Sequence, residues 1–220
     1  MKKGVSSYTV IGGADGPTSI FIAGRTKERW NIRNLKHILR NKKYQRNRKK
    51  IMAQMTADSH SLNEVIEYIT SKYEATELPK DSRRYLEQRK DCKSSFILRF
   101  QPELIGGFSE IEKPDFENEA SVREYFAKIK ERQEKAAAIP DEIFPIDFHM
   151  YEIKCPGGGN IMLELETIHE HIGFSISAEK GKMKQANKIG KDIYRYYGVS
   201  SEDIENQTER YKSVVAVLAD

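Results

Sequence analysis

The chain has 220 residues, a formal net charge of +4 and a mean hydropathy of −0.68, with 32% of its residues charged. This length is typical of one large domain or two small ones, and this composition is typical of a globular protein. No apolar run approaches the roughly 20 residues that span a bilayer, and no apolar core of a secretory signal follows the first residues. Transmembrane, coiled-coil, collagen and disulfide-scaffold classes are therefore excluded, and we expect a soluble, cytoplasmic protein.

The two cysteines, Cys92 and Cys155, stand far apart, and neither has a second cysteine nearby to complete a metal or redox motif. A disulfide between them would need an oxidising compartment, for which the sequence carries no targeting signal. We expect two reduced thiols.

The charge is distributed unevenly along the chain. Residues 1–50 contain 14 lysines and arginines but only two carboxylates, whereas residues 51–220 contain 23 basic and 31 acidic residues. The small total therefore combines a net charge of +12 with one of −8. We predict a glycine-rich hairpin plus basic helix in residues 1–50 and an α+β body in residues 51–220. A single domain that includes both is the alternative.

The first elements in chain order are two β-prone segments at residues 8–11 and 18–22. Residues 12–17, which are rich in glycine and end in proline, lie between them and favour a turn. This pattern predicts an N-terminal β-hairpin. A strand that enters a helix through a glycine-rich turn is the alternative.

The middle of the chain predicts three helices and one strand. Residues 25–50 form a basic helix with a partial apolar stripe. Ser61 and Glu64 have the spacing of a capping box, which predicts a helix start, and a second box at Ser121 and Glu124 predicts another helix that ends before Pro140. The β-prone residues 95–100 predict a strand.

The last third predicts a hairpin followed by helices. Residues 148–154 and 161–172 read as strands on either side of a turn at 155–160, and residues 174–177 extend the second strand or form a third. Residues 183–197 predict a helix with Gly198 at its C-terminal cap. A short helix from residue 200 and a final strand at 214–218 follow. Because strands and helices alternate without a regular βαβ rhythm, the fold class is predicted as α+β, with a C-terminal β-hairpin packed with helices.

One short motif carries a family resemblance. Residues 10–21, Val-Ile-Gly-Gly-Ala-Asp-Gly-Pro-Thr-Ser-Ile-Phe, closely resemble a signature stretch in the β subunit of sodium-translocating decarboxylases. In that family the segment interrupts a membrane helix at the ion and carboxybiotin site. The resemblance implies a site for sodium or another cation, with Asp15 as a ligand and Gly12, Gly13 and Thr18 as supporting oxygens. The rest of the chain departs from the family, whose β subunit spans the membrane many times.

Two other interpretations of the glycine motif remain open. Consecutive glycines before a turn can form a backbone nest that binds an anion, and the basic residues that follow would favour one. No phosphate-binding loop accompanies them, because neither Gly-Lys-Ser/Thr nor Gly-x-Gly-x-x-Gly occurs there. The motif can also be a tight turn that needs its glycines for shape alone. The candidate ligand-binding residues are Gly12, Gly13, Asp15, Gly16 and Thr18.

The basic segment between residues 25 and 50 holds 12 lysines and arginines, with Trp30 and Tyr44 among them. Such a segment is typical of a surface that binds nucleic acid or another anionic partner. A solvated helix that balances the acidic body and a helix that binds an anionic membrane are the alternatives. The candidate contact residues are Arg25, Lys27, Arg29, Arg33, Lys36, Arg40, Lys42, Lys43, Arg46 and Arg48.

Histidines and a second basic cluster complete the candidates. His169 and His171 would share one face of the predicted strand, which can begin a metal or acid–base site with His149 as third member. Half-buried structural histidines are the alternative. The late helix region carries a second basic cluster, which strengthens the case for an anionic partner if it lies beside the first one. Its members are Lys180, Lys182, Lys184, Lys188, Lys191 and Arg195.

The sequence carries no specific catalytic motif, so candidate catalytic residues stay unknown. The leading hypothesis is a binding or regulatory protein whose basic N-terminal region engages an anionic partner: nucleic acid, a nucleotide or an acidic protein. The alternative is a relative of the decarboxylase β subunit that keeps a cation or small-ligand site at Asp15 without being a membrane pump.

Overall fold

The computed structural model describes residues 5–10, 30–108, 110–179 and 181–220, and it gives only the backbone course for residues 5–10, 30–36 and 108. Helices and an antiparallel sheet occur together in these residues, which confirms the α+β class. The helices are α1 (Trp30–Gln54), α2 (Leu62–Tyr73), α3 (Arg83–Phe100), α4 (Glu119–Ala138), α5 (Met183–Tyr197), α6 (Ser201–Asn206) and α7 (Glu209–Ala219), with a 3₁₀ segment at Pro102–Phe108. The strands are β1 (Val5–Val10), β2 (Asp58–Ser59), β3 (Thr76–Glu77), β4 (Phe148–Lys154), β5 (Asn160–Glu166), β6 (His171–Glu179) and β7 (Gly198–Val199).

The main sheet has the strand order β1-β6-β5-β4-β3. Strand β1 runs antiparallel to β6, with Val5 opposite Glu179, and β3 runs antiparallel to β4, with Thr76 opposite Glu152. Strands β2 and β7 form a separate two-stranded antiparallel sheet. The predicted hairpin of β4 and β5 is confirmed, and residues 171–179 form a third strand.

The chain divides into two compact units. Unit 1 contains residues 1–77, 150–165 and 170–220, and unit 2 contains residues 78–149 and 166–169. Unit 2 is therefore inserted in the chain between β3 and the greater part of β4.

Unit 1 has one hydrophobic core, which lies between the sheet and helices α2, α5 and α7. Helix α5 contributes a stripe of buried residues at intervals of three and four, including Ile189 and Ile193, as expected for an amphipathic helix. Ile51 and Met52, near the end of α1, also pack against this core.

Unit 2 has its own smaller core, in which half of the buried apolar residues are aromatic. Tyr85 donates a hydrogen bond to the carbonyl oxygen of Phe148, and the two rings meet edge to face with centroids 5.3 Å apart. Lys93 is 1% exposed and donates to the carbonyl oxygen of Ile139 and to Asp141, so its buried ammonium group is neutralised.

Local capping signals identify several helices correctly. The Ser61 hydroxyl accepts from the Glu64 amide while the Glu64 carboxylate accepts from the Ser61 amide, so the predicted capping box of α2 is confirmed. Ser200 and Asp203 make the same exchange at α6. The predicted helix 183–197 is α5, with Gly198 at its C-terminal cap.

Two segments predicted as strands are helices. Residues 95–100 belong to α3, because Lys93, Phe96 and Ile97 are buried on one face at helical spacing in spite of the β-prone composition. The prediction of a strand at 214–218 is wrong for the same reason: these residues lie in α7, which Thr208 caps by accepting from the Tyr211 amide.

Two predicted boundaries are also wrong. Helix α4 begins at Glu119 with Asn118 as its cap, while the Ser121 hydroxyl accepts instead from the Asp115 amide. Strand β5 ends at Glu166 rather than continuing to residue 172, and residues 167–170 form a turn. The second strand of the predicted N-terminal hairpin lies outside the described residues, and the partner of β1 is β6.

Within the described ranges, no helix is both long enough and apolar enough to cross a membrane.

The junction between α5 and β7 depends on Gly198 and Arg210. Gly198 has a φ of 56° and a ψ of −162°, and a side chain there would place its Cβ 1.7 Å from the carbonyl oxygen of Asp58. The Arg210 guanidinium group donates to the carbonyl oxygens of Gly198, Tyr197 and His60 at 3.0, 2.5 and 2.6 Å. It also lies 3.8 Å from the centroid of the Tyr197 ring.

We expect Gly198→Ala to lower the free energy of unfolding of unit 1 by about 3 kcal/mol or more, because it adds both backbone strain and a clash with Asp58. Urea unfolding followed by circular dichroism measures the change. Gly181→Ala is the matched control, since a Cβ at Gly181 meets nothing within 4 Å, and its effect should stay within about 0.5 kcal/mol. Equal stability of the two variants would contradict this account of the junction.

Candidate functional site

Helix α1 presents a basic surface that is almost entirely exposed. Between His37 and Gln54 it carries seven lysines and arginines and no carboxylate. All seven side chains are exposed, and none has an ion-pair partner within the described part of the chain. They are Arg40, Lys42, Lys43, Arg46, Arg48, Lys49 and Lys50.

The C-terminal half of α1 is fixed to the rest of unit 1 through α7. The Asn47 side-chain amide donates to the carbonyl oxygen of Ala219 at 3.1 Å, and Ile51 and Met52 pack against the core. The basic side chains therefore project from an anchored helix.

One member of the second basic cluster bonds to the same end of α7 as α1 does. Lys191 on α5 donates to the carbonyl oxygen of Leu218 at 3.2 Å. Burial lowers the pKa of Lys191, and the charges of Arg195 and Lys43 lower it further, although Asp220 opposes them. Lys43 belongs to α1, so the charge of one basic helix acts on a lysine of the other.

The other residues predicted for this surface are distributed as follows. Arg25, Lys27 and Arg29 lie outside the described residues, and Arg33 and Lys36 lie within α1 by its backbone course. On and before α5, Lys182, Lys184, Lys188 and Arg195 are exposed, while Lys180 is not described.

The glycine motif lies outside the described residues. This applies to Gly12, Gly13, Asp15, Gly16 and Thr18, so the cation site and the family resemblance stay predictions.

The structure changes the interpretation of the histidines. His169 lies in the turn after β5 and His171 is the first residue of β6, so the prediction that they share a strand face is wrong. His149 lies on β4 and pairs with Asp147, the ring Nε2 being 3.1 Å from the carboxylate. Across the described ranges, no group of three or more His, Cys, Asp and Glu side chains is placed to hold a metal ion.

His169 is held by a fully buried carboxyl group in unit 2. Glu166 is 0% exposed and accepts hydrogen bonds from the backbone amides of Asp147, Ile168 and His169 at 2.9, 3.2 and 2.6 Å. Its second oxygen also lies 3.0 Å from Nδ1 of His169, within hydrogen-bond distance. Glu166 thus organises the turn and fixes the imidazole orientation.

An aromatic enclosure surrounds the His169 ring. The centroids of Phe96, Phe100 and Phe144 lie 5.0, 5.1 and 5.1 Å from the imidazole centroid, each at a small interplanar angle. A carboxyl-oriented imidazole can serve as an acid–base group, but this ring packs against unit 2 side chains, which fits the structural interpretation of the histidine.

Unit 2 also contains an open cleft of about 330 Å³. Its lining residues are Lys80, Tyr85, Leu86, Arg89, Ile146, Asp147 and Phe148. A hydrogen bond from Thr167 lowers the pKa of Asp147, and the charges of His149 and Lys80 lower it further, although burial raises it. This carboxylate is therefore ionised at neutral pH. Arg89 is already paired with Asp141, and the cleft thus presents both signs of charge.

We expect Glu166→Gln to destabilise unit 2 by about 2 kcal/mol or more. Both carboxylate oxygens accept from backbone amides, so in either orientation the NH₂ group of the glutamine would face a backbone N–H group. Urea unfolding measures the loss. Glu142→Gln is the matched control, since Glu142 is exposed in the same unit and the same charge is removed. If both variants unfold at the same urea concentration, the buried carboxyl group does not organise the turn.

Sequence reasoning missed a second cluster, which joins α2 to α5 in unit 1. One oxygen of Asp192 accepts from Lys72, from the Tyr68 hydroxyl and from the Tyr73 hydroxyl at 2.7, 2.6 and 2.6 Å. The Tyr68 ring stacks on Tyr196 with centroids 3.9 Å apart and an interplanar angle of 3°. Tyr68 and Lys72, like Asp192 and Tyr196, are four residues apart, but nothing in the sequence pairs the two helices.

The electrostatics of this cluster favour a fixed charge pair over acid–base chemistry. Burial alone would raise the pKa of Asp192, but the hydrogen bonds from the ammonium group and the two hydroxyl groups hold it at about 2. Burial, together with the bond to Asp192, raises the pKa of Tyr73 to about 12 and also raises that of Tyr68. The hydrogen bond to Asp192 raises the pKa of Lys72. At neutral pH both tyrosines are therefore protonated and neutral, whereas Lys72 and Asp192 are charged.

We expect Asp192→Asn to lower the free energy of unfolding by about 1 kcal/mol at pH 7, a value that allows for solvent screening at this half-exposed position. The depressed pKa means that the contribution is present above pH 4 and disappears as the pH falls through about 2. The difference between wild type and variant in urea unfolding should therefore shrink between pH 4 and pH 2. A difference that stays constant over this range would contradict the assigned charge pair.

No protein family matches the chain, and neither the curated proteins nor the solved structures include one with significant similarity to it.

Proposed function

We propose that the protein binds nucleic acid through the basic surface formed by α1 and α5. The observation that carries this proposal is that both basic helices bond to the last turn of α7, Asn47 of α1 to the carbonyl oxygen of Ala219 and Lys191 of α5 to that of Leu218, which brings like charges from two helices to one side of unit 1. Like charges repel one another, so an arrangement of this kind lowers its free energy when an anion occupies it.

The length of the basic surface supports a polymeric anion over a single nucleotide. Helix α1 has 25 residues and therefore extends for about 37 Å. Its basic residues run from Arg33 to Lys50, a rise of about 25 Å along the helix, and this length suits a chain of repeating phosphates. A single nucleotide would engage only a small part of the row.

The absence of carboxylates between His37 and Gln54 supports the same conclusion. An acidic partner protein would meet the same positive field, so charge alone does not distinguish it from nucleic acid. The salt dependence of binding distinguishes the two partners, because each contact with a nucleic-acid phosphate releases condensed counterions.

We expect a fluorescently labelled 20-nucleotide DNA to bind the full chain at 50 mM salt, with an affinity that falls steeply toward 200 mM. The triple variant Lys42→Ala, Lys43→Ala, Arg46→Ala should weaken binding at least about 10-fold and reduce the slope of log affinity against log salt by about two to three. Fluorescence anisotropy measures both quantities.

The matched control removes three exposed lysines from unit 2: Lys90→Ala, Lys113→Ala, Lys130→Ala. It lowers the net charge by the same amount and should keep both the affinity and the slope close to wild type. No binding at 50 mM salt, or equal losses in the two triple variants, would refute the proposed surface.

A further inference from the structure

A ladder of three stacked rings lies on unit 1 beside the basic face of α5. His60 stacks on Tyr196, and Tyr196 stacks on Tyr68, with centroids 3.9 Å apart at both steps. The three side chains are half-buried, so part of each ring reaches solvent. We call these three residues the aromatic ladder.

The two ends of the aromatic ladder differ. The Lys72 ammonium group lies 4.7 Å from the centroid of Tyr68, and the Tyr73 ring meets Tyr68 edge-on, so this end is closed. At the other end, Tyr196 is the one ring that stacks on His60 within the described part of the chain. His60 is therefore the terminal ring, and part of its half-buried side chain reaches solvent, so we call it the open end of the ladder.

Four hydrogen bonds fix the open end in place. Nδ1 of His60 lies 2.6 Å from the carbonyl oxygen of Tyr196 and must donate to it, since a carbonyl group only accepts. The His60 amide donates to the Tyr197 carbonyl oxygen, and two donor contacts from Arg210 reach the carbonyl oxygens of His60 and Tyr197. A ring held this firmly loses little conformational entropy when a ligand stacks on it.

Positive charge lies next to the ladder on the same helix. Arg195 directly precedes Tyr196 and is exposed, and Lys188 lies two turns before Tyr196 on an adjoining strip of α5. Lys191, one turn before Arg195 on α5, donates to the carbonyl oxygen of Leu218, which is the neighbour of the α7 residue that α1 bonds. Planar rings beside a row of cations are the combination that binds unpaired bases and their phosphates.

We infer that the partner is single-stranded nucleic acid, with an unpaired base stacked on the His60 end of the aromatic ladder and the backbone held by α5 and α1. This inference rests on the proposed function and names its substrate class. In a duplex the bases are stacked on one another, so only the phosphate contacts would remain. The strand can be DNA or RNA, because stacking does not depend on the sugar.

Three oligonucleotides of equal length test this inference on the wild-type chain: a 20-nucleotide oligothymidylate, a 20-base-pair duplex, and a 20-unit abasic strand that keeps the phosphates without the bases. We expect the oligothymidylate to bind about 10-fold more tightly than the abasic strand and the duplex. Equal affinity for all three would overturn the inference and leave the proposed function standing. No binding of any of them would overturn the proposed function itself.

Two variants locate the stacking contact. His60→Ala should weaken oligothymidylate binding about 10-fold and leave abasic-strand binding unchanged, whereas His60→Phe, which keeps a planar ring but not the Nδ1 bond, should restore the preference for the oligothymidylate. Circular dichroism melting shows whether each variant is folded. An alanine variant that keeps the full preference, or a phenylalanine variant that loses it, would count against stacking at His60.

Photocrosslinking gives a readout that needs no variant. A single strand containing 5-iodouracil, irradiated in complex with the wild-type chain and digested, should yield crosslinked peptides that contain His60 or Tyr196. Crosslinks confined to Tyr44 on α1, which is half-buried among the basic side chains, would place the bases elsewhere and refute the ladder as their site.

Discussion

Three carbonyl groups converge on the guanidinium group of Arg210, and one of them belongs to His60, 150 residues earlier in the chain. The same group stacks against the Tyr197 ring and lies 3.8 Å from the Asp203 carboxylate. Arg210 thereby joins the start of α2, the end of α5 and the start of α7 at one point. The orientation of the aromatic ladder depends on this junction, because the carbonyl groups of His60 and Tyr197 both accept hydrogen bonds from Arg210. A guanidinium group can do this where an ammonium group cannot, since its donors project in fixed directions within one plane.

The two units use buried polar groups for different purposes. In unit 2 the Glu166 carboxyl group accepts hydrogen bonds from the backbone amides of a tight turn. These bonds replace the water that a fully buried carboxyl group has lost. In unit 1 Asp192 receives three side-chain donors from α2 and links that helix to α5. The first arrangement shapes the backbone within a short stretch of sequence. The second connects helices that are distant in the chain and raises the pKa of both tyrosine hydroxyl groups that bond to it.

Local signals made much of the fold predictable. The capping box at Ser61 identifies α2, and the turn at residues 155–160 identifies the β4–β5 hairpin, whereas the predicted box at Ser121 misplaces the start of α4. The segments at 95–100 and 214–218 were mispredicted because their β-prone composition is overridden by burial on one helical face. The basic surface was readable from composition, since charge needs no partner to be recognised. The aromatic ladder was not, because Tyr68 and Tyr196 meet only after α2 and α5 pack, and no pattern within either helix encodes that contact.

The insertion of unit 2 between β3 and β4 has a consequence for biosynthesis. Strand β3 emerges from the ribosome more than 70 residues before Tyr151 and Glu152, with which it pairs, and α5 and α7 follow unit 2 in the chain. Unit 2 is nearly continuous in sequence, so most of its packing can form during translation, whereas unit 1 waits for its C-terminal third. Throughout that interval α1 is without the helix that anchors it. The cationic side chains of α1 therefore stand on an anchored helix only after unit 1 has closed, so any contact that needs this anchored surface forms after α7 has been translated.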